Sequence, residues 1–94
     1  MTFRIIYHES VVKKDIPKLS EIIKKRIKAA IETKLMSDPA KFGKPLRKSL
    51  KGYRKLRLGD YRIIFRIDER IIRILTIEHR SIVYKKGMDR LKRD

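Results

Sequence analysis

Hydrophobic and polar positions along the chain predict a short strand followed by two helices. Residues 2–8, "TFRIIYH", are rich in β-branched and aromatic side chains, which is typical of a strand. The stretch "ESVVKKDI" predicts a short helix that ends near Pro17. A longer helix begins after Ser20, whose hydroxyl can cap it. Its apolar face recurs at helical spacing and comprises Ile23, Ile27, Ala30, Ile31 and Leu35.

Strands dominate the second half of the chain. The stretch "AKFGKPLRKSLKG" predicts a loop because of its Gly and Pro residues. Strands are then expected over about Tyr53–Leu58, Tyr61–Ile67 and Ile71–Glu78, and the tail "KKGMDRLKRD" predicts a short C-terminal helix or a frayed end. We therefore expect one α+β domain over 1–94, in the order β-α-α-β-β-β. Its sheet should be small and antiparallel with a mixed edge, about four strands wide, with two N-terminal helices on one face.

The turn at Gly59 and Asp60 fixes which way the cations of the first hairpin point. With a two-residue turn, Leu58 pairs with Tyr61 and Arg57 with Arg62. One face then holds Leu56, Leu58, Tyr61, Ile63, Phe65 and Ile67, and the other holds Lys55, Arg57, Arg62, Ile64 and Arg66. Two arginines directly opposite each other destabilise a sheet, whereas a bound phosphate would make the pair favourable. The alternative is a solvated face on which arginine opposes aggregation through the sheet edge.

Composition favours an anionic partner. The chain has 27 Lys and Arg against 11 Asp and Glu, for a net charge of +16, and nucleic acid is the commonest partner of such a domain. A basic surface that is merely solvated is the alternative. The lack of cysteine excludes disulfides and thiolate metal sites. We expect no metal, no membrane segment and a cytoplasmic location, since no ligand cluster, long apolar run or secretory signal is present.

A second candidate cluster follows the last strand. His79 and Arg80 lie where the chain leaves the sheet and where side chains commonly enter a cleft, and Tyr84 comes four residues after Arg80. A lone histidine is more often structural than catalytic, so both interpretations of His79 stay open. Because the sequence has no nucleophile motif and no Gly-rich phosphate loop, an active site here has to be built from Arg, Lys, Tyr and His.

The segment from Gly52 to Tyr84 resembles the second half of RelE-type toxins of the RelE/ParE superfamily. The resemblance rests on "LRLGDYRIIF", then an apolar strand, then "HRSIVY", with "FGKPLRKSLKG" upstream. It implies a toxin of a type II toxin–antitoxin system that cleaves messenger RNA in the ribosomal A site, without metal or cofactor. It also implies an antitoxin that is acidic and partly disordered and that carries an amphipathic helix. Two rivals stay open, namely a ParE-like inhibitor of DNA gyrase and a non-catalytic module that binds RNA or a partner chain.

The same resemblance assigns roles to individual residues. Lys55 corresponds to a catalytic lysine, Arg62 to the arginine that contacts the scissile phosphate, Arg80 to an arginine of the final strand, and Tyr84 to a tyrosine that stacks on a base. Arg57 corresponds to an RNA-holding neighbour. The best-studied type has a second lysine where this chain has Tyr53. The residues that could compensate are Lys51 and Arg54, although Arg54 should point to the opposite face of its strand.

The chemistry of RNA cleavage is compatible with this set. A lysine crowded by other cations loses basicity, so Lys55 is the candidate general base. Arg62 and Arg80 suit the stabilisation of the phosphate, and Arg80 or His79 would assist the leaving oxygen. On the long helix, Lys24, Lys25 and Lys28 are candidates for docking on ribosomal RNA, with ordinary solvation as the alternative.

Overall fold

The computed structural model describes residues 3–93. The strands are β1 (Arg4–Tyr7), β2 (Lys44–Pro45), β3 (Arg54–Leu58), β4 (Tyr61–Asp68) and β5 (Ile71–His79). The α-helices are α1 (Glu21–Ala30), α2 (Pro39–Phe42) and α3 (Val83–Arg93). Shorter helical turns are Val11–Asp15 and Ile16–Lys18 before α1, Ile31–Leu35 directly after it, and Lys48–Leu50 before β3. Within the described residues no helix is long and apolar enough to span a membrane.

The strands of residues 3–93 form one mixed sheet of five strands, in the order β1-β5-β4-β3-β2. β1 runs parallel to β5, and the other neighbours are antiparallel. The predicted α+β class and mixed edge are confirmed, with one strand more than the four expected. The additional strand is β2, which lies in the predicted loop. It is two residues long, and as an edge strand it tolerates Pro45, which cannot donate a ladder hydrogen bond.

The hairpin of β3 and β4 has the predicted register. Gly59 supplies a positive φ of 60° at the turn, as a tight two-residue connection requires. The turn therefore sets the alternation of both strands. From the turn outward, the paired residues are Leu58–Tyr61, Arg57–Arg62, Leu56–Ile63 and Lys55–Ile64.

Helix α1 covers the apolar face of the sheet. Its N-terminus is capped by Ser20, whose Oγ accepts a hydrogen bond from the Ile23 N–H at 3.3 Å. The helical path continues past Ala30 through the wider turn Ile31–Leu35. The buried cluster between helix and sheet contains Ile27, Ala30, Ile31, Leu35, Leu56, Ile63 and Phe65. The predicted core face of the hairpin is thus confirmed.

Helix α3 covers part of the opposite face, the one that carries the hairpin cations. The tail is therefore a helix rather than a frayed end. Val83 of α3 packs with Leu50, Ile64 and Leu75 in a second buried cluster. Gly87 allows close approach, since a Cβ there would lie 3.3 Å from Ile64 Cδ1. Ile64 was predicted on the cationic face, and α3 is the element that buries it.

A buried ion pair attaches α3 to the N-terminal half of the chain. Arg90 Nη2 and Nη1 donate to the two carboxylate oxygens of Asp15 at 2.6 Å each, and Asp15 is 1% exposed. Arg90 Nη1 also donates to the Leu75 carbonyl at 2.9 Å, and the Ile77 N–H donates to Asp15 at 2.8 Å. Such charges are tolerable in a core only when they are paired and hydrogen-bonded in this way.

Candidate active site

An open cleft of about 620 Å³ lies at the turn end of the β3–β4 hairpin, on the face that α3 partly covers. It brings together the four residues predicted to be catalytic, together with Arg57 and His79. Its lining residues are Lys55, Arg57, Arg62, His79, Arg80, Ser81 and Tyr84.

Several elements deliver these side chains to one place. Lys55 and Arg57 alternate on one face of β3, and Arg62 stands opposite Arg57 on β4. The chain leaves β5 at His79, where the Arg80 N–H donates to the Asp60 carbonyl at 2.8 Å and ties this exit to the hairpin turn. The first turn of α3 then brings Tyr84 against Lys55. The convergence follows from strand alternation and from this one backbone contact.

Arg62 is the most constrained cation of the cleft. Its side chain is 7% exposed, and Nη1 donates to the carbonyls of Gly59 at 2.7 Å and Tyr61 at 2.8 Å. These bonds hold one edge of the guanidinium against the hairpin turn. A cation held in place before the reaction stabilises developing charge without first having to reorganise.

Lys55 is held by Tyr84. The Lys55 Nζ donates to the Tyr84 hydroxyl at 3.1 Å. The same ammonium is 5.6 Å from the centroid of the tyrosine ring, so it meets the hydroxyl end of the ring rather than its face. Tyr84 therefore fixes where the lysine stands, and part of its ring surface stays available beside the cleft.

Arg80 and Arg57 are the exposed cations of the cleft. Arg80 Nε lies 3.9 Å from Asp60 Oδ1, and both side chains are mostly exposed. An exposed pair at this distance is weak, so a phosphate can compete with the carboxylate. Arg57 is exposed on β3, where it is paired across the hairpin with the buried Arg62 of β4.

His79 is oriented by its neighbours. The Ser81 N–H donates to His79 Nδ1 at 3.2 Å, and the Ser81 hydroxyl lies 2.9 Å from the same nitrogen. The ring also makes an edge contact with Tyr61, with 5.8 Å between the centroids. Because Nδ1 accepts from a backbone N–H, the proton of the neutral ring resides on Nε2. In the neutral ring, Nε2 is therefore the hydrogen-bond donor.

The other predicted RNA-binding residues lie outside the cleft. Arg54 points to the opposite face of β3, as expected, and donates to the carbonyls of Gly43 at 2.9 Å and Ala40 at 3.4 Å. It supports the turn after α2 and does not replace the missing lysine. Lys51 is exposed in the turn before β3. Lys24, Lys25 and Lys28 are on α1, which packs on the other face of the sheet.

Two polar residues of this region were not identified from the sequence. Ser81 orients His79, and Asp60 binds the backbone and side chain of Arg80. The position of Ser81 two residues after His79 was a usable signal, because such spacing allows a short-range hydrogen bond. In the described part of the chain, no group of three or more His, Cys, Asp or Glu side chains is placed to hold a metal ion.

Comparison with known proteins gives a consistent set of relatives. A family model described as "ParE toxin of type II toxin-antitoxin system, parDE" matches residues 3–84. Toxin RelE of Mycobacterium tuberculosis is 32% identical over 84 residues, covering 84% of this chain and 87% of that protein. Toxin RelG of the same organism is 39% identical over 54 residues, covering 55% of this chain and 62% of RelG, which is less than two thirds of its length.

The fold has a close counterpart among solved structures. The toxin–antitoxin complex RelBE2 from Mycobacterium tuberculosis contains a chain that superposes with a TM-score of 0.77 and 28% sequence identity. The superposition covers 84% of this chain and 99% of that chain. The likeness therefore extends over most of this chain.

Proposed function

We infer the function of this chain from its family, because it belongs to the RelE/ParE superfamily of toxins from type II toxin–antitoxin systems. We propose that it is an endoribonuclease that cleaves messenger RNA in the ribosomal A site and thereby stops translation. Such a target requires a cytoplasmic location. The observation that carries the proposal is the convergence of Lys55, Arg62, Arg80 and Tyr84 around one cleft.

The substrate provides the nucleophile. RNA can be cleaved by its own 2′-hydroxyl, which attacks the adjacent phosphate and displaces the 5′-oxygen of the next nucleotide. The products are a 2′,3′-cyclic phosphate and a 5′-hydroxyl. The protein has to remove a proton from the 2′-hydroxyl, stabilise the crowded phosphate and protonate the leaving oxygen.

The cleft offers a residue for each of these tasks. Lys55 is our candidate general base, and its hydrogen bond to Tyr84 holds it in position. Arg62 stabilises the phosphate from a fixed position, and Arg80 closes on it after exchanging Asp60 for a phosphate oxygen. Arg80 or His79 assists the leaving oxygen, and His79 gives it the Nε2 proton from the imidazolium form, in which Nδ1–H donates to the Ser81 hydroxyl. Tyr84 also offers ring surface on which an unpaired base can stack.

A cognate antitoxin is the second proposed partner. A chain similar to this one was solved as part of a toxin–antitoxin complex. The charge of +16 favours an acidic partner, and we propose a partly disordered segment with an amphipathic helix that folds on this surface. The carboxylates of this segment would occupy the cleft and so prevent RNA from binding there.

In vitro translation followed by primer extension tests the proposal. We expect cuts at codon spacing in a translated messenger RNA, and no such cuts when ribosomes are left out. Codon-spaced cuts that also occur without ribosomes would disprove the ribosome dependence, and no cuts in either case would disprove the nuclease function.

Inhibition of DNA gyrase is the second candidate function, because the matching family model is that of ParE toxins. The cleft of cations and tyrosine favours the nuclease. A supercoiling assay separates the two. Arrest of gyrase by the purified chain, together with intact messenger RNA in the translation assay, would establish the gyrase function instead.

A further inference from the structure

A second group of basic and aromatic side chains lies on the cationic face of the sheet, beyond the cleft. Arg66 and Arg73 stand directly opposite each other on β4 and β5, and Ile6 of β1 stands beside Arg73. The Arg66 guanidinium carbon is 5.7 Å from the centroid of the Tyr53 ring. With Leu91 of α3, these residues border a cavity of about 380 Å³. We call Ile6, Tyr53, Arg66, Arg73 and Leu91 the platform.

The two arginines of the platform have one carboxylate between them. Asp68 Oδ2 lies 3.4 Å from Arg73 Nε and 3.8 Å from Arg66 Nη2. Both arginine side chains are 42% exposed, so these ion pairs are weak and a phosphate can compete for them. Like charges directly opposite in a sheet are destabilising, and a single Asp offsets only one of the two. The platform therefore has a net positive charge and can exchange its internal partner for an external anion.

The platform also offers flat surfaces. Tyr53 supports the Arg66 guanidinium through a cation–π contact, and Ile6 adds exposed apolar surface at 37%. Aromatic rings and guanidinium planes are the surfaces on which proteins stack unpaired bases. Positive charge next to such surfaces is the combination that binds a single-stranded nucleic acid, whereas folding alone does not require it.

The platform lies on the same face of the sheet as the cleft, and the contact of α3 with Ile64 separates the two. Tyr53, Lys55 and Arg57 are alternate residues on β3 and share one face, at steps of about 6.8 Å. The ring of Tyr53 thus lies one step beyond Lys55 along the strand. Tyr84 at the start of α3 lines the cleft and Leu91 near its end lines the platform, so RNA held in the cleft reaches the platform by running along this helix for about 10 Å.

We propose that the platform binds a segment of single-stranded RNA that extends out of the cleft. Arg66 and Arg73 contact its phosphates, and a base stacks on the Tyr53–Arg66 pair. Tyr53 stands where the best-studied relatives have a lysine, and the platform gives this difference a role in substrate binding. The inference rests on RNA as the proposed substrate, but it does not depend on cleavage.

Binding of a labelled single-stranded RNA of about ten nucleotides, measured by fluorescence anisotropy at several salt concentrations, tests the platform. All proteins carry Arg62→Ala, so that cleavage cannot interfere. The test variant adds Arg66→Gln and Arg73→Gln. Its matched control, called the α1 control, adds Arg26→Gln and Lys41→Gln, which remove the same charge from exposed positions of α1 and α2 outside the cleft and the platform. A second pair compares Tyr53→Ala with Tyr53→Phe.

We expect the Arg66/Arg73 variant to bind at least about tenfold more weakly and to lower the salt slope by about 1.4, or about 0.7 for each lost phosphate contact. The α1 control should lose much less affinity. Tyr53→Ala should weaken binding by about tenfold without changing the salt slope, and Tyr53→Phe should bind like its parent, because stacking needs the ring and not the hydroxyl.

Three outcomes would overturn the proposal. If the Arg66/Arg73 variant and the α1 control lose equal affinity for RNA, binding depends only on the overall positive charge of the protein. A polyglutamate peptide serves as a second ligand in the same assay. If the Arg66/Arg73 variant loses as much affinity for this peptide as for RNA, the platform is a site for acidic protein segments. Unchanged binding by Tyr53→Ala with native thermal stability would exclude stacking. RNA binding that depends on the platform, in a chain that never cleaves messenger RNA, would instead disprove only the nuclease function.

Discussion

Among individual side chains, the pair of Lys55 and Tyr84 is the contact closest to the proposed chemistry. The two residues are far apart in sequence, and the hydrogen bond of 3.1 Å between them joins β3 to the first turn of α3. A lysine has four rotatable side-chain bonds, and a fixed partner removes much of that freedom. Tyr84 thus has a positioning role through its hydroxyl, in addition to stacking through its ring.

Tyr84→Phe separates these two roles. We expect the cleavage rate on programmed ribosomes to fall by about fivefold, since a lost hydrogen bond is worth about 1 kcal/mol, while the ring still stacks on a base. KM should change little, and the melting temperature should stay near that of the parent. A fall in apparent affinity with an unchanged maximal rate would contradict the positioning role.

Among the secondary-structure elements, α3 matters most for the site because it carries Tyr84. Its contact with the sheet depends on Val83 and Gly87, and its attachment to the N-terminal half depends on the ion pair of Asp15 and Arg90. Removing one partner of a buried pair leaves an uncompensated charge, which is worse than removing both.

A double-mutant cycle measures this attachment. Arg90→Met should destabilise the protein by about 3–5 kcal/mol, because Asp15 then remains buried without its cation. Adding Asp15→Leu to Arg90→Met should recover part of this loss in a urea-melt experiment. A double variant less stable than Arg90→Met alone would show that the hydrogen bond from the Ile77 N–H to Asp15, rather than the charge pair, dominates.

Glu78, at the end of β5, makes the stability of the protein depend on pH, and it lies near the same ion pair. Burial raises the pKa of the Glu78 carboxyl, the Asp15 carboxylate raises it further, and Lys18 and Lys86 act in the opposite direction. Glu78 is 6% exposed. Because the folded state holds this proton more tightly than the unfolded state, stability is lost as the pH rises from about 4.5, the ordinary value, through the raised pKa.

Glu78→Gln tests whether ionisation of Glu78 lowers the stability of the protein as the pH rises. The neutral amide removes the ionisation, so the variant should be more stable than the parent at about pH 7 and should lose that advantage below about pH 4.5. Thermal melts at several pH values measure the difference. An advantage of the same size at all pH values would contradict the ionisation of Glu78 as its cause.

For the molecule as a whole, local rules determined more of the structure than long-range contacts did. The hairpin register and the faces of β3 and β4 followed from one turn and from alternation, and the opposite direction of Arg54 followed from the same rule. Helix α1 was predicted from the helical spacing of its apolar residues and from its N-cap, Ser20. These features depend on residues close together in sequence, which is why the sequence predicts them.

The features that were missed or left open depend on distant residues. β2 exists because Lys44 and Pro45 pair with β3, which no local preference indicates. The tail was predicted as a helix or a frayed end, and the contacts that make it the helix α3 come from Ile64 and from Asp15, which are far from it in sequence. The basic and aromatic residues of the cleft were predicted from the sequence, whereas the hydrogen bonds of Arg62 to the turn and of Lys55 to Tyr84 depend on the folded geometry.

The central claim is that Arg62 and its neighbours form one site that stabilises a phosphate during RNA cleavage. Single-turnover cleavage of messenger RNA on programmed ribosomes, comparing the parent chain with Arg62→Ala, tests it most directly. We expect a loss of about 10²–10³-fold in rate, with 2′,3′-cyclic phosphate ends on the parent's products and a cooperative thermal melt for both proteins. Cleavage by folded Arg62→Ala at the parent's rate would contradict the account.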